Sequence, residues 1–192
     1  MPENRKLIIG IAGASGAIYG IRLLEACREL GVETHLVISK AAEITILHET
    51  GTPASDVKKL ATKHYKPIDI GAAIASGSFQ NAGMIIAPCS IRSMAEIATG
   101  TTSSLLTRAA DVVLKERRRL VIMLRETPLH AGHLRNLALL SDLGAIIAPP
   151  VPAFYTMPET IDDIVNHTVG RALDLFAIDN NLASRWSGLT SP

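Results

Sequence analysis

Five apolar runs of strand length punctuate this chain: Leu7 to Ala12, Val32 to Ile38, Met84 to Ala87, Leu120 to Leu124 and Ala145 to Ala148. None alternates apolar with polar residues. Near-continuous Ile, Val and Leu means burial on both faces, as in the strands of a parallel sheet. Helical patterns fill the gaps. Ile18, Ile21, Leu24 and Leu30 fall at helical spacing ahead of Gly31, a C-terminal stop. Ser39 is placed to cap a helix reaching about His48. Further helices are expected over roughly 103–116, 130–142 and 160–176, with another opening near Ser90 and Ser93. The alternation predicts one α/β domain over 1–192, an open parallel sheet in three αβα layers. No internal repeat, linker or low-complexity stretch interrupts it. Residues 51–80 are the least periodic and are expected to hold a long loop. The tail "SGLTSP" at 187–192 is expected to be loose.

Ligands of such sheets lie at the carboxyl ends of the strands. Four of these ends carry polar or glycine-rich chemistry: Gly13 to Gly16, Ser39, Cys89 to Ser93, and Arg125 with Glu126.

Composition narrows the function classes. A chain of 192 residues with 47% hydrophobic and 19% charged residues builds a sizeable core and is not disordered. Aromatic residues are only 4%, so the core is aliphatic and each aromatic residue is a candidate for a special duty. A net charge of +1 provides no global field for nucleic acid or an anionic membrane. Cys27 and Cys89 do not make a disulfide framework, and no Cys/His cluster has metal-ligand spacing, so no metal is expected. "MPENRKLIIGIAG" has too short an apolar run for a signal peptide, and prolines break "AIIAPPVPAF", so no bilayer span is expected. The chain reads as cytoplasmic.

Each motif has a chemical and a bland reading. "GIAGASGAIYG" joins the first strand to the first helix. Gly13 and Gly16 allow close backbone approach, Ser15 offers a hydroxyl, and the helix N-terminus offers N–H groups to a phosphate. It contains neither a Gly-x-Gly-x-x-Gly fingerprint nor a Walker loop. The bland reading is a tight turn that binds nothing. "MIIAPCSIRSMAEIATG" repeats the layout, and Ser90 and Ser93 suit a flavin edge, a phosphate, or plain helix capping. Cys89 reads as a small buried hydrophobe. In "TRAADVVLKERRR", Arg108 and Lys115 share a helix face about 10 Å apart. Without other information they are a solvated cationic face. In "RETPLH", Arg125 can grip a phosphate through two parallel hydrogen bonds and Glu126 can move a proton. The alternative is an internal salt bridge, a poor source of stability if buried. "PPVPAFYTMP" carries Phe154 and Tyr155 on a proline-stiffened loop, where a tyrosine binds an anionic oxygen or packs. Arg171 is either a snorkelling surface residue or an anion ligand.

Taken together, "GASGAIYG", "SKAA", "APCS", "LLTRAADVVLKERRRLVIMLRETPLH", "GAIIAPPVPAFY" and the "DDIV" to "HTVGRALD" stretch resemble the UbiX/Pad-type flavin prenyltransferases. The match runs in order from about residue 6 to 178. The resemblance implies a flavodoxin-like, Rossmann-like fold and a homo-oligomer, a dodecamer. It implies a metal-independent transfer of a dimethylallyl group, from dimethylallyl monophosphate, to N5 and C6 of reduced FMN. The prenylated FMN then passes to a UbiD-type decarboxylase. By the same resemblance Gly13, Ala14, Ser15, Ser39, Ser90, Ile91, Arg92, Ser93 and Arg125 hold FMN. Tyr155 and Arg171 hold the prenyl phosphate, with Arg108 and Lys115 entering from a neighbouring subunit. Ser15, Glu49 and Glu126 assist the chemistry, and Trp186 closes the site. Arg92 departs from the family pattern.

Two rivals remain at this stage. A flavin-dependent cysteine decarboxylase of related fold carries an early catalytic His and a "PASANT"-type loop, whereas the equivalent loop here is "APCSIRSM", without Asn. A non-enzymatic flavin carrier needs no cationic phosphate pocket beside its flavin.

Overall fold

The two-sided burial expected of the strands sorts by residue parity. Leu7, Ile9, Ile11, Ile85, Ala87, Val121 and Met123 face one buried cluster, and Ile8, Ala12, Met84, Ile86, Leu120, Ile122 and Leu124 face another. Period-two alternation in a strand buried on both faces requires this split. In the computed structural model, residues 6–186 and 188 are described. The strands are β1 (Lys6–Ile11), β2 (Glu33–Ile38), β3 (Lys63–Tyr65), β4 (Gly83–Cys89), β5 (Arg119–Leu124) and β6 (Ile146–Ile147). The helices are α1 (Ala17–Glu29), α2 (Lys40–Thr50), α3 (Ala54–Lys58), α4 (Ile91–Ala98), α5 (Leu105–Lys115), α6 (Ala131–Asp142) and α7 (Ile161–Asp174). All strand pairs are parallel, in the order β3-β2-β1-β4-β5-β6. That is the doubly wound order whose crevice opens between β1 and β4.

Residues of α1, α2 and α7 complete the first cluster, and residues of α4, α5 and α6 the second. The three-layer α/β expectation therefore holds. The long loop expected over 51–80 instead contains α3, β3 and a 3₁₀ turn at Ala73–Ala75. β3 escaped detection because it is a three-residue edge strand with two exposed positions, so it has no apolar run. Thr34 and Thr62 lock it on, each hydroxyl accepting the other's backbone N–H at 3.0 Å. β6 is shorter than expected because Pro149 and Pro150 follow it and supply no N–H. The tail reading at 187–192, apart from Gly188, lies outside the described residues.

Helix α1 sits unusually close to the sheet. A Cβ on Gly20 would lie 2.3 Å from the Ala87 carbonyl oxygen. Gly20→Ala would add up to about 1 kcal/mol of helix propensity but overpack a rigid backbone contact, which costs about 1–3 kcal/mol. The expected outcome is a net loss of stability, read as a lower denaturant midpoint at unchanged slope. An unchanged or higher midpoint would refute the contact.

Candidate active site

Backbone hydrogen bonds stitch the four chemically loaded strand ends into one rim. Ala12 N–H donates to Pro88 O, Ser39 N–H to Ile11 O, and Arg125 N–H to Cys89 O, each at 3.0 Å. Gly16 has φ 97°, a left-handed conformation that favours glycine, and it caps α1. Gly13 is glycine for a different reason from the one expected. A Cβ there would strike Ala41 Cβ at 2.4 Å, so close packing of α2 by itself requires a glycine at this position.

The N-terminus of α1 is also differently employed. Its free N–H groups were expected to serve a phosphate. The Glu49 carboxylate instead accepts from Gly16 N–H at 2.9 Å and from Ala17 N–H at 2.8 Å. The end of α2 thus reaches back across the rim to place Glu49 beside exposed Ser15 and Ala14. An anion sits naturally there, at the positive end of the helix. The donor set suits an oxyanion, and the structure fills it with a side chain.

The serines do cap helices. Ser39 Oγ accepts from Ala42 N–H at 3.1 Å, and Ser90 Oγ accepts from Ser93 N–H at 3.3 Å and donates to Ser93 Oγ at 3.2 Å. All three serines and Ile91 are partly exposed at the rim. Arg92 points away into solvent, 82% exposed and paired with Glu96 one turn along. Cys89 is buried completely, and burial pushes its thiol up to about 12, so it is no nucleophile.

Arg125 and Glu126 are exposed and do not pair with each other. Glu126 accepts from Thr127 N–H at 3.0 Å, and Arg125 makes no ion pair among the described residues. The internal salt bridge considered above is therefore absent. The Arg125 side chain instead approaches Gly16, where a Cβ would lie 3.8 Å from its Cγ. Tyr19, not assigned from sequence, belongs to the same group. Its ring would lie 3.1 Å from a Gly16 Cβ, and its phenol is pushed up by burial while the Arg125 charge pulls it down. The signal was available: Tyr19 is one of only three tyrosines, one turn beyond the glycine turn.

The remaining candidates lie elsewhere. Tyr155, on the loop after β6, points its hydroxyl at His167 Nε2 (3.4 Å) and meets the Trp186 ring edge-on at 5.6 Å. Arg171 lies in the last turn of α7 and donates to Asp174 at 2.8 Å. A cavity of about 290 Å³ beside them is lined by Met123, Ile146, Ala148, Val151, His167 and Arg171, among others. Among the described residues no hydrogen bond or ion pair joins this group to Arg125. Arg108 pairs with Asp111 and Lys115 with Glu116 on the outer side of α5. Lys115 is four residues before β5 begins, whereas Arg125 follows its end, so the two lie toward opposite ends of the strands.

Comparison with known proteins places the chain as a whole. The family described as "Flavoprotein" matches residues 1–173. The flavin prenyltransferase UbiX of Thauera aromatica is 55% identical over 183 residues, covering 95% of this chain and 94% of that protein. The crystal structure of AnUbiX (PadA1) in complex with FMN and dimethylallyl pyrophosphate superposes with a TM-score of 0.96 at 47% identity, covering 98% of this chain and 100% of that one. A dodecameric FMN-dependent UbiX-like decarboxylase from Escherichia coli O157:H7 gives 0.93 at 52% identity, covering 95% and 100%. FMN-dependent cysteine decarboxylases, at 15% and 17% identity, share the fold alone. With 55% identity to one relative and near-complete coverage on both sides, the chain belongs to the flavoprotein family, among its UbiX-type flavin prenyltransferases.

Proposed function

We propose that this enzyme transfers a dimethylallyl group to reduced FMN without a metal, producing prenylated FMN. The observation that carries the reading is the exposed Arg125 side chain against the Gly16 turn, without an ion pair among the described residues, at the β1/β4 crevice where the fold presents ligands. Reduced FMN supplies the nucleophilic N5 and C6 atoms that accept the five-carbon group.

In this reading the chain's own residues do four things. The Gly13–Ser15 segment, Ser39, the Ser90–Ser93 loop and Arg125 hold the flavin by backbone groups, hydroxyls and a planar guanidinium fork. Tyr155 and Arg171, with Arg108 and Lys115, stabilise the departing phosphate, which needs fixed positive charge in the absence of a metal. Apolar walls such as Met123, Ile146 and Val151 keep water from a reactive allylic carbon. Ring closure at C6 releases a proton, and either Glu126 or the bound phosphate can take it. Ser15 and Glu49, at the N-terminus of α1, assist the chemistry from the flavin side of the crevice, where Glu49 is fixed by the N–H groups of Gly16 and Ala17.

The separation of Lys115 from Arg125 favours an assembly in which copies complete one another's sites. Exposed apolar residues supply faces for such contacts, including Ile44 at 74%, Phe154 at 72% and Met157 at 83%. A dodecamer, a cytoplasmic location and a UbiD-type decarboxylase as recipient complete the reading. No helix among the described residues is long and apolar enough to cross a membrane.

The test is anaerobic. Protein, reduced FMN and dimethylallyl monophosphate are mixed and the extracted flavin is weighed by mass spectrometry. The expected result is a gain of one five-carbon prenyl unit. Unchanged FMN with both the monophosphate and the pyrophosphate, binding having been confirmed, would return the flavin carrier and the cysteine decarboxylase to consideration.

A further inference from the structure

The carboxylate of Asp174 carries more hydrogen bonds than a helix-terminal aspartate needs. It accepts from Arg171 Nη1 at 2.8 Å, from both terminal nitrogens of Arg185 at 2.5 and 2.8 Å, and from Asn180 Nδ2 at 3.2 Å. Its side chain is only 16% exposed. The Arg185 fork is the main cause holding the Asp174 carboxyl below its ordinary range. The segment around residues 180–186 is docked on α7 at this point. A Cβ on Gly170 would lie 2.8 Å from Ala183 N, and the buried Asn180 side chain also donates to Gly170 O at 3.3 Å. The segment ends with Trp186 against Tyr155.

We infer that Asp174 is a positioning residue of the prenyl phosphate site: it aims the Arg171 guanidinium and, through Arg185, seats Trp186 on Tyr155. This rests on the proposed role of Arg171 and Tyr155. One carboxylate against two guanidiniums leaves one net positive charge. Arg185 takes the bidentate face of Asp174, which satisfies the carboxylate while Arg171 gives it a single hydrogen bond and keeps donors for a phosphate. Without Arg185, Asp174 would compete with the phosphate for Arg171. Without Asp174, neither guanidinium is aimed and Trp186 loses its tether.

The test uses the intact enzyme and the chain's single tryptophan, Trp186. Asp174→Asn is compared with Arg185→Gln, whose altered side chain is 55% exposed and spares the carboxylate. Steady-state prenylation with dimethylallyl monophosphate should show a donor KM raised about tenfold or more, with kcat within about threefold. FMN affinity should stay unchanged, and Trp186 emission should shift to the red in both variants. A donor KM and a Trp186 spectrum both like wild type overturn the inference. Either change without the other overturns it too, as does a parallel loss of FMN binding and kcat, the mark of a merely structural role. If the wild-type enzyme does not prenylate at all, the proposed function falls. Tryptophan emission with and without dimethylallyl monophosphate then decides the latch alone: a red shift in both variants and lost ligand response support it, and unmoved emission overturns it.

Discussion

Arg125→Ala is expected to lower kcat/KM for prenylation by about 10²–10³-fold, the usual cost of removing one preorganised group that stabilises developing charge. The protein should remain folded. Its backbone at this position is fixed by the N–H bond to Cys89 O, and the side chain is exposed and makes no ion pair among the described residues. Loss of such a side chain changes stability by no more than about 0.5 kcal/mol. FMN affinity should fall as well, because the Arg125 side chain lies against the Gly16 turn proposed to hold the flavin. Arg125→Lys should recover only part of the rate, since an ammonium keeps the charge but not the planar two-pronged donor. Unfolding curves, FMN titration and the mass assay check these three statements separately. An Arg125→Ala enzyme within a few-fold of wild type would move the flavin-holding role elsewhere.

Activity should be recoverable by mixing two nearly inactive variants, Lys115→Ala and Arg125→Ala. The argument is topological. β5 begins at Arg119 and ends at Leu124, α5 delivers Lys115 to its start, and Arg125 follows its end. The length of a six-residue strand, roughly 20 Å, lies between them, farther than either side chain extends. A Lys115 that acts in the same crevice as Arg125 must therefore act on the crevice of another copy. Co-expression of the two variants with different tags gives mixed oligomers. In a random one-to-one mixture about a quarter of the sites combine an intact crevice with an intact lysine, so about a quarter of wild-type activity should return. If each lysine served its own crevice, mixing would restore nothing, because every chain carries one lesion.

Much of this was legible before any coordinates. The parallel sheet announced itself through apolar runs without alternation, because two-sided burial leaves no polar positions in a strand. Its crevice could be placed because Gly13 to Gly16, Ser39, Ser90 and Arg125 all follow such runs at once. β3 was illegible: an edge strand of three residues buries only Tyr65 and so lacks the pattern that reveals the others. The packing demand on Gly13 was illegible because a glycine leaves the same blank whether a ligand or a neighbouring helix needs the space, and Ala41 needs it. Tyr19 was overlooked although the scarcity of aromatic residues marked it.

The sequence by itself determined the layered α/β architecture, the strand ends that carry chemistry, and the family. These depend on local periodicity and on motifs short enough to be read along the chain. The tertiary structure decided which charges meet. It put Glu49 onto the N–H groups of Gly16 and Ala17, more than thirty residues away, and left Arg125 without an ion pair among the described residues. It sent Lys115 to the end of β5 opposite the crevice. The i,i+3 spacing of Arg171 and Asp174 is legible in α7, but the returning segment had to dock to bring Arg185 to the same carboxylate. The long-range pairings follow from helix direction and from where that segment docks, and no spacing along a single element encodes either.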